Sequence, residues 1–141
     1  MRYEWFREYC LQKPGVTWDY KPEWSWERFF VGGKTFAAIG REGEGGKAVF
    51  LSVRCEPDFN QFLRQSFQAV APGYYTNKEH WNTVWLDLAS IPERDRNPAA
   101  PPEFPPDGLV KEMADRSYAL ILASLPKKLR LQVENGLNPK D

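Results

Sequence analysis

Four stretches of this chain space their apolar residues like the buried face of a helix. The first covers residues 2–13 and is ended by Pro14-Gly15, and the second starts at Pro57, which suits a first helical turn. A long third helix starts at Asp107 or the residue after it, and a short one follows Pro126. The second helix is predicted to bury Phe59, Phe62, Leu63 and Ser66, and the third Val110, Met113, Ala114, Ser117, Tyr118, Ile121, Leu122 and Leu125.

Other stretches alternate or cluster apolar residues in the manner of strands. Gly32-Gly33 is predicted to join two of them, because a two-residue hairpin turn needs positive φ at both positions and glycine tolerates it. The predicted strands cover residues 24–31, 34–39, 48–53, 70–75 and 81–88. The residues between the first helix and the first of these strands are predicted to form a loop through Pro22.

The predicted order of elements is α–β–β–β–α–β–β–α. Hairpin-linked strands indicate an antiparallel sheet, and helices in this order can cover one of its faces. The sequence therefore predicts a two-layer α+β domain over residues 1–134, followed by a polar tail over residues 135–141.

A proline-rich excursion, residues 92–106, interrupts this pattern. Its six prolines exclude a helix and disfavour a strand. We predict a surface segment of polyproline-like character. It is either a spacer or a docking site for a proline-binding partner.

Composition narrows the possible functions. The formal net charge is zero, from 19 Lys and Arg against 19 Asp and Glu, whereas dedicated nucleic-acid binders usually carry a basic excess. The two cysteines, Cys10 and Cys55, suit a reducing compartment. The start of the chain has no apolar leader, and no run reaches the roughly 20 apolar residues of a membrane span. We expect a cytoplasmic protein that does not enter the membrane.

The segment from Pro72 to Val84 holds most of the side chains that could do chemistry. His80 is the only histidine, and it could act as a general base, as a metal ligand, or with Cys55 as a nucleophile pair. A zinc site usually needs three or four nitrogen or sulfur ligands, and this chain offers few. The structural alternative is that Asn77 and His80 cap the turn that enters the strand at Trp81.

Two basic features leave a functional and a structural interpretation open. Lys127 and Lys128, with Arg130, form either a solvated helix face or a surface for phosphate or a partner. Lys78 lies close in sequence to Tyr74 and Trp81, an arrangement that suits phosphate contact combined with base stacking. Aromatic residues at such positions also fill protein cores.

Aromatic residues before and within the first predicted strand indicate a second kind of surface. They are Trp18, Tyr20, Trp24 and Trp26. If they leave part of a sheet exposed, that sheet could bind another chain by strand addition or docking, or a second copy of this chain.

Several pieces of the sequence, in order, resemble the MmcQ/YjbR-like family of small bacterial domains. The most specific is Asn77-Lys78-Glu79-His80-Trp81-Asn82-Thr83-Val84, within the segment from Pro72. The others are residues 9–15, 31–37, 51–57, 115–118 and 125–128. This resemblance spans most of the chain. It implies a fold similar to CyaY and secretion chaperones, and DNA binding through a double wing of strands and loops.

The chain departs from the family pattern in two places. The proline-rich excursion stands where the resemblance implies a much shorter loop. The connection from Gly40 to Gly46 carries Glu42 and Glu44, which would repel phosphate if this connection were a wing. The family has no agreed catalytic residues, so none is carried over to this chain.

We therefore predict a small cytoplasmic binding domain that contacts DNA weakly, with a protein-binding or dimerising module as the alternative. No enzymatic activity, metal or cofactor is expected. The candidate contacts are Lys34, Lys47, Arg54, Tyr74, Asn77, Lys78, His80, Asn82, Lys127 and Lys128.

Overall fold

An antiparallel sheet forms the centre of the molecule, whose computed structural model describes residues 2–73 and 77–136. Within these residues the sheet has six strands, which lie side by side in the order β1-β2-β3-β4-β6-β5. Every neighbouring pair is antiparallel, as the hairpin signals predicted. The strands are β1 Val16–Lys21, β2 Trp26–Val31, β3 Lys34–Arg41, β4 Ala48–Arg54, β5 Val70–Pro72 and β6 Trp81–Trp85.

The helices confirm the predicted α+β class. They are α1 Phe6–Leu11, α2 Pro57–Ser66, α3 Asp107–Ala123 and α4 Lys127–Glu134, with short 3-10 turns at Leu88–Ser90 and Glu93–Asp95. The predicted order holds apart from one additional strand, β1, where a loop was expected, and the short helix α4, which was predicted after Pro126 but left out of that order. None of the described helices combines the length and the apolar content that crossing a bilayer requires.

The larger core lies between the sheet and the helices. Phe6 and Cys10 of α1 are fully buried there, four residues apart on one face of the helix. The long helix α3 lies across β3 and β4 and buries Val110, Met113, Ala114, Ser117 and Ile121. Ser117 ties this helix to the sheet, because its hydroxyl donates to the Phe36 carbonyl and accepts from the Arg54 amide.

The other face of the sheet carries a smaller aromatic core. Trp26, Phe50 and Trp85 meet edge to face, with ring centroids 5.6 and 5.3 Å apart. Gly40 makes room for Phe50, since a Cβ at that position would lie 2.3 Å from the phenyl ring. Ile91, just after the first 3-10 turn, completes this core from the proline-rich side.

The β2–β3 turn confirms the prediction from the glycine pair. Gly32 and Gly33 have φ of 59° and 82°. A Cβ on Gly32 would lie 2.4 Å from Leu125, so the turn packs directly against the junction of α3 and α4. Glycine is therefore required at residue 32 for both its conformation and its lack of a side chain.

The inner face predicted for α2 is wrong in one respect. Phe62 is 55% exposed, and the buried residues of this helix are Asn60 and Leu63. The helix is rotated from the predicted orientation because the Asn60 amide satisfies backbone carbonyls beneath it, as described below. A hydrophobicity pattern cannot foresee that a buried position requires an amide.

The proline-rich excursion is bonded to the residues that lead into β5. The Gln68 amide donates to the Pro101 carbonyl at 2.9 Å, and its side chain donates to the Ala100 carbonyl at 2.7 Å. Ala100 is only 3% exposed. Apart from the 3-10 turn Glu93–Asp95, the excursion contains no helix or strand, as its prolines predicted. Whether it docks a partner stays a prediction.

Candidate nucleic-acid interface

Five of the predicted contact residues lie at one end of the sheet. Ala37 of β3 pairs with Val53 of β4, which places Lys34 and Arg54 beyond this pair at the same end. Arg54 in turn pairs with Trp81, the first residue of β6. The turn before β6, which carries Lys78, therefore lies at the same end of the sheet as Lys34 and Arg54. Because neighbouring strands are about 5 Å apart, β3, β4 and β6 together span about 10 Å at this end.

The junction of α3 and α4 brings two more lysines to the same end. The Lys34 ammonium lies 3.5 Å from the Ser124 hydroxyl, and Gly32 in the adjacent turn packs on Leu125. Lys127 and Lys128, the first residues of α4, follow Leu125 within three residues, and both are exposed. We call Lys34, Arg54, Lys78, Lys127 and Lys128 the basic end.

Acids do not neutralise the basic end. In the described part of the chain, none of its five cations lies within salt-bridge distance of a carboxylate, although Glu79 is exposed in the same turn. Most other described cations have an acidic partner. Those cations are Arg7, Lys13, Arg28, Arg41, Lys47, Arg94, Arg96, Arg116 and Arg130. A net charge of zero therefore hides an uneven distribution.

Asn77 caps the turn that carries Lys78, as the sequence predicted. Its side-chain oxygen accepts from the Glu79 amide at 3.0 Å. Its backbone carbonyl accepts from the amides of His80 and Trp81 at 3.2 and 2.9 Å. The three N–H groups of this turn converge on one residue, which accounts for asparagine at this position.

A buried amide network holds the same turn from below. Asn60 of α2 is fully buried and donates to the carbonyls of Cys55, Glu79 and His80 at 2.9 to 3.1 Å. Its own side-chain oxygen accepts from Asn82 at 2.7 Å. We call Asn60, Asn82 and Arg64 the turn clamp.

Arg64 completes the turn clamp from one helical turn further along α2. Its guanidinium donates to the Asn82 side chain at 2.7 Å and to the carbonyls of Lys78 and Trp81 at 2.6 and 3.1 Å. Burial lowers the pKa of Arg64 below its ordinary value. None of the described carboxylates pairs with it, so its positive charge lies beneath the turn without an acidic counterpart.

Three of the predicted contacts are not among the exposed residues of the basic end. Lys47 is at the opposite end of the sheet, 3.8 Å from the Glu42 carboxylate. Asn82 is fully buried in the turn clamp, so it positions the turn and cannot itself touch a ligand. Tyr74 is outside the described residues. The contact of the others with nucleic acid stays a prediction.

The geometry also bears on a Cys55–His80 nucleophile pair. Cys55 is fully buried, its thiol donates to the Met113 carbonyl at 3.5 Å, and burial raises its pKa to about 12. A thiol with that pKa supplies almost no thiolate at neutral pH. His80 meets Cys55 through the backbone, where its carbonyl accepts from the Cys55 amide. In residues 2–73 and 77–136, no three His, Cys, Asp or Glu side chains are placed to hold a metal ion.

The predicted aromatic surface is divided between the two faces of the sheet. Trp18 pairs with Phe29 of the larger core, whereas Trp26 packs with Phe50 on the other face and is only 7% exposed. Trp18 and Trp24 are 43% and 51% exposed. Aromatic surface is therefore exposed, as the sequence indicated, but Trp18 and Trp26 do not share a face, because Trp18 lies on β1, which the sequence interpretation assigned to a loop.

Sequence reasoning missed Asn60 and Arg64. The available signal was the position of Asn60, one helical turn before Arg64 in a helix that follows a strand. It is a weak one, because i, i+4 polar pairs usually mark a solvated face.

Comparison with known proteins gives the same family as the sequence resemblance. The protein-family model described as YjbR matches residues 11–120. "Uncharacterized protein YjbR" of Escherichia coli K12 is 30% identical over 123 residues, which cover 87% of this chain and 89% of that protein. "Uncharacterized protein YbdF" of Escherichia coli O157:H7 is 25% identical over 136 residues, covering 95% of each chain.

Solved structures share the fold. Protein DR2400 of Deinococcus radiodurans, described with a DUF419 domain, superimposes with a TM-score of 0.69 at 25% identity, covering 91% of this chain and 84% of that one. A protein from Pseudomonas syringae does so with a TM-score of 0.56 at 21% identity, covering 86% and 99%. The relatives' names state no activity or ligand.

Proposed function

The chain belongs to the YjbR family, and from that premise we propose that it binds the phosphate backbone of DNA weakly through its basic end. One observation carries the proposal: five cations from four elements lie at one end of the sheet, and none of them is within salt-bridge distance of a described carboxylate. Backbone affinity comes largely from cations that neutralise phosphates and release counterions.

The turn clamp supports this proposal. Lys78 lies on a turn whose carbonyls and amides are bonded on both sides, to Asn77 above and to Asn60 and Arg64 below. A rigid turn loses little conformational freedom when its lysine meets a phosphate. The binding stays weak because few cations take part and the molecule as a whole is neutral.

The proposal includes binding without catalysis. The buried Cys55 thiol gives no reactive thiolate, and the turn at His80 is organised by backbone hydrogen bonds. We place this activity in the cytoplasm, where the free and buried Cys10 and Cys55 stay reduced.

Fluorescence anisotropy of labelled duplex and single-stranded DNA tests the proposal. If four phosphates are contacted, the affinity falls about 100-fold when the salt concentration rises from about 50 to 200 mM. An affinity that ignores salt, or no binding at the lower concentration, would overturn the proposal.

Charge reversal at the two ends of the sheet provides a matched control. The triple variant Lys34→Glu, Lys127→Glu, Lys128→Glu should lose binding and reduce the salt slope by about 0.9 for each phosphate contact removed. Lys47→Glu makes the same kind of change at the opposite end and should bind like the natural protein. Because Lys47→Glu reverses one charge and the triple variant three, a loss of binding free energy in Lys47→Glu of about one third of that in the triple variant would show that only the overall charge matters.

The second candidate function is protein binding. Two observations favour it: Trp18 and Trp24 are exposed, and β1 is an edge strand with a partner on one side only. Exposed strand edges bind extended chains through backbone hydrogen bonds, and side-chain pockets give specificity. Pull-down with strand-forming peptides, compared between the natural protein and Trp18→Ala, tests it.

A further inference from the structure

The two edges of the sheet differ in how they are covered. Beside β5, the residues that lead into the strand, Gln68 and Ala69, donate to the carbonyls of Pro101 and Glu103 in the proline-rich excursion. Among the described residues no chain segment bonds along the outer side of β1, which pairs with β2 over six consecutive residues without a bulge. A regular, uncovered edge is a template for another strand.

Alternate residues of β1 direct their backbone groups away from β2. The Val16 amide donates to the Lys13 carbonyl, which precedes the strand, and therefore not to β2. Because strand residues alternate in direction, Trp18 and Tyr20 also present their N–H and C=O groups to the outer side.

A buried carboxylate fixes Trp18 at this edge. The Trp18 indole donates to Glu27 at 3.0 Å, and Arg7 and Arg41 donate to the same carboxylate at 3.0 and 2.7 Å. Burial alone would raise the pKa of Glu27, but the hydrogen bonds from Arg41 and Arg7 outweigh it and lower the pKa. Trp18 is thus a preorganised aromatic anchor that stays 43% exposed.

We propose that a second copy of this chain docks on this edge, with the two β1 strands antiparallel about a twofold axis at Tyr20. The inference rests on the second candidate function, protein binding, and names the partner. In this register residues 19–21 of β1 pair with the same three residues of the second copy: Tyr20 faces Tyr20 of the second copy, and Asp19 faces Lys21 of the second copy. Trp18 lies opposite Pro22 of the second copy, which follows β1 and has no N–H to donate, so the paired segment ends there.

The neighbouring registers fit less well. A twofold axis at Asp19 would place two aspartates directly opposite each other, which destabilises a strand pair. An axis at Trp18 would place Asp19 opposite Thr17 and would leave Lys21 without an acid. Only the axis at Tyr20 combines two ion pairs with a hydrogen-bonded pair of outward-facing residues. Charge complementarity therefore selects both the partner and the register.

The expected dimer is weak. Three paired strand residues and one tryptophan from each copy bury an area well below the roughly 1,200 Å² of standard specific interfaces. Sedimentation velocity over a range of protein concentrations should therefore show a mass that rises from one chain towards two. A single-chain mass at every concentration would overturn the inference.

Two opposite charge changes test the register. Asp19→Lys places lysine opposite lysine in a homodimer, and Lys21→Asp places aspartate opposite aspartate. Each should raise the dissociation constant about tenfold or more. A mixture of the two variants pairs lysine with aspartate at both positions, so it should dimerise like the natural protein. Mixing without recovery, or dimers that both variants retain, would overturn the inference.

Two controls separate this outcome from other failures. Asp19→Lys also removes the Asp19–Arg28 ion pair, so the melting temperature of each variant is measured beside its mass. Lys47→Glu changes charge away from the edge and should dimerise normally. If the natural protein stays a single chain but strand-forming peptides bind it, self-pairing fails while protein binding stands.

Discussion

The two ends of the sheet are built from the same residue types and yet differ in their electrostatics. At the opposite end, Arg41 bonds to the buried Glu27 and Lys47 lies near Glu42. At the basic end, Lys34, Arg54 and their neighbours have no described acid, and neutral amides hold the turn beneath them. The cations at the opposite end are thus paired with acids, whereas those at the basic end are available to bind an anion.

This difference shows how a neutral protein can keep a basic surface. A carboxylate beneath the turn could not donate to its carbonyls as Asn60 does, and its negative charge would offset the lysines above it. Amides and backbone carbonyls satisfy the same hydrogen bonds without adding negative charge. The polar groups under a surface therefore tell more about its role than the net charge of the chain does.

The largest effect is expected from Asn60→Ala, which removes the hydrogen bonds that hold the turn of the basic end and changes no charge. It leaves the buried Cys55 carbonyl and the buried Asn82 amide without their partner, each at about 1–3 kcal/mol, so the free energy of unfolding should fall by about 3 kcal/mol. Urea denaturation measures the loss. Hydrogen exchange should also speed up at residues 79–81.

Asn60→Asp is the matched comparison, because it keeps the shape and adds a charge. A buried carboxylate cannot donate to the carbonyls of Cys55, Glu79 and His80, so this variant should be at least as unstable. If either variant melts like the natural protein, the turn clamp does not hold the turn.

The next largest effect is expected at the opposite end, from Glu27→Gln. The carboxylate is buried, but Arg7 and Arg41 reach water and lose part of their attraction to screening. The expected loss is about 2 kcal/mol by thermal or urea unfolding at neutral pH. The loss should shrink at high salt less than a surface pair would, because the acceptor is buried.

The same variant sharpens the comparison through pH. The pKa of Glu27 is lowered by folding, so its stabilisation is complete above the unfolded pKa of about 4.3 and is lost as pH falls through the lower folded value. Stability of the natural protein should therefore fall more steeply below about pH 4 than that of Glu27→Gln. If stability depends on pH in the same way in the natural protein and in Glu27→Gln, the ion pairs of Glu27 do not account for stability at this end.

A smaller effect is expected from Gly32→Ala, which disturbs the attachment of the basic end to α4. Residue 32 has a φ of 59°, and an added Cβ would lie 2.4 Å from a Leu125 methyl group. The leucine can shift, so we expect a loss of about 1–2 kcal/mol in urea unfolding. Gly33→Ala, which has open space around it, should cost less and serves as the control.

The local patterns predicted most of the elements but not how they meet. The helical faces of α1 and α3 and the turn at Gly32-Gly33 follow from spacing and from φ requirements. Strand β1 was missed although Val16, Trp18 and Tyr20 alternate with polar residues, because Pro14 and Pro22 on both sides favoured a loop. Short edge strands are only half buried, so their periodicity is weak evidence.

The candidate site shows the same limit. Lys34, Lys78 and Lys127 could be selected from sequence as exposed cations, but only the strand register brings them to one end. Asn82 was selected because it lies in the family motif, and it proves to be buried. A motif contains structural residues as well as contact residues, so it does not separate the two roles. The partners of buried amides are long-range contacts, and local sequence does not encode them.

The smallest effect is expected from Lys47→Ala, which removes a cation from the opposite end. Lys47 and Glu42 are both largely exposed and 3.8 Å apart, and such pairs contribute little to stability. The free energy of unfolding should change by less than about 0.5 kcal/mol, and DNA affinity at constant salt should be unchanged. Lys78→Ala removes the same group from the basic end at a similarly small cost in stability, but it should weaken DNA binding and lower the salt slope by about 0.9. Because the two variants differ only in position, equal binding by both would break the distinction between the two ends.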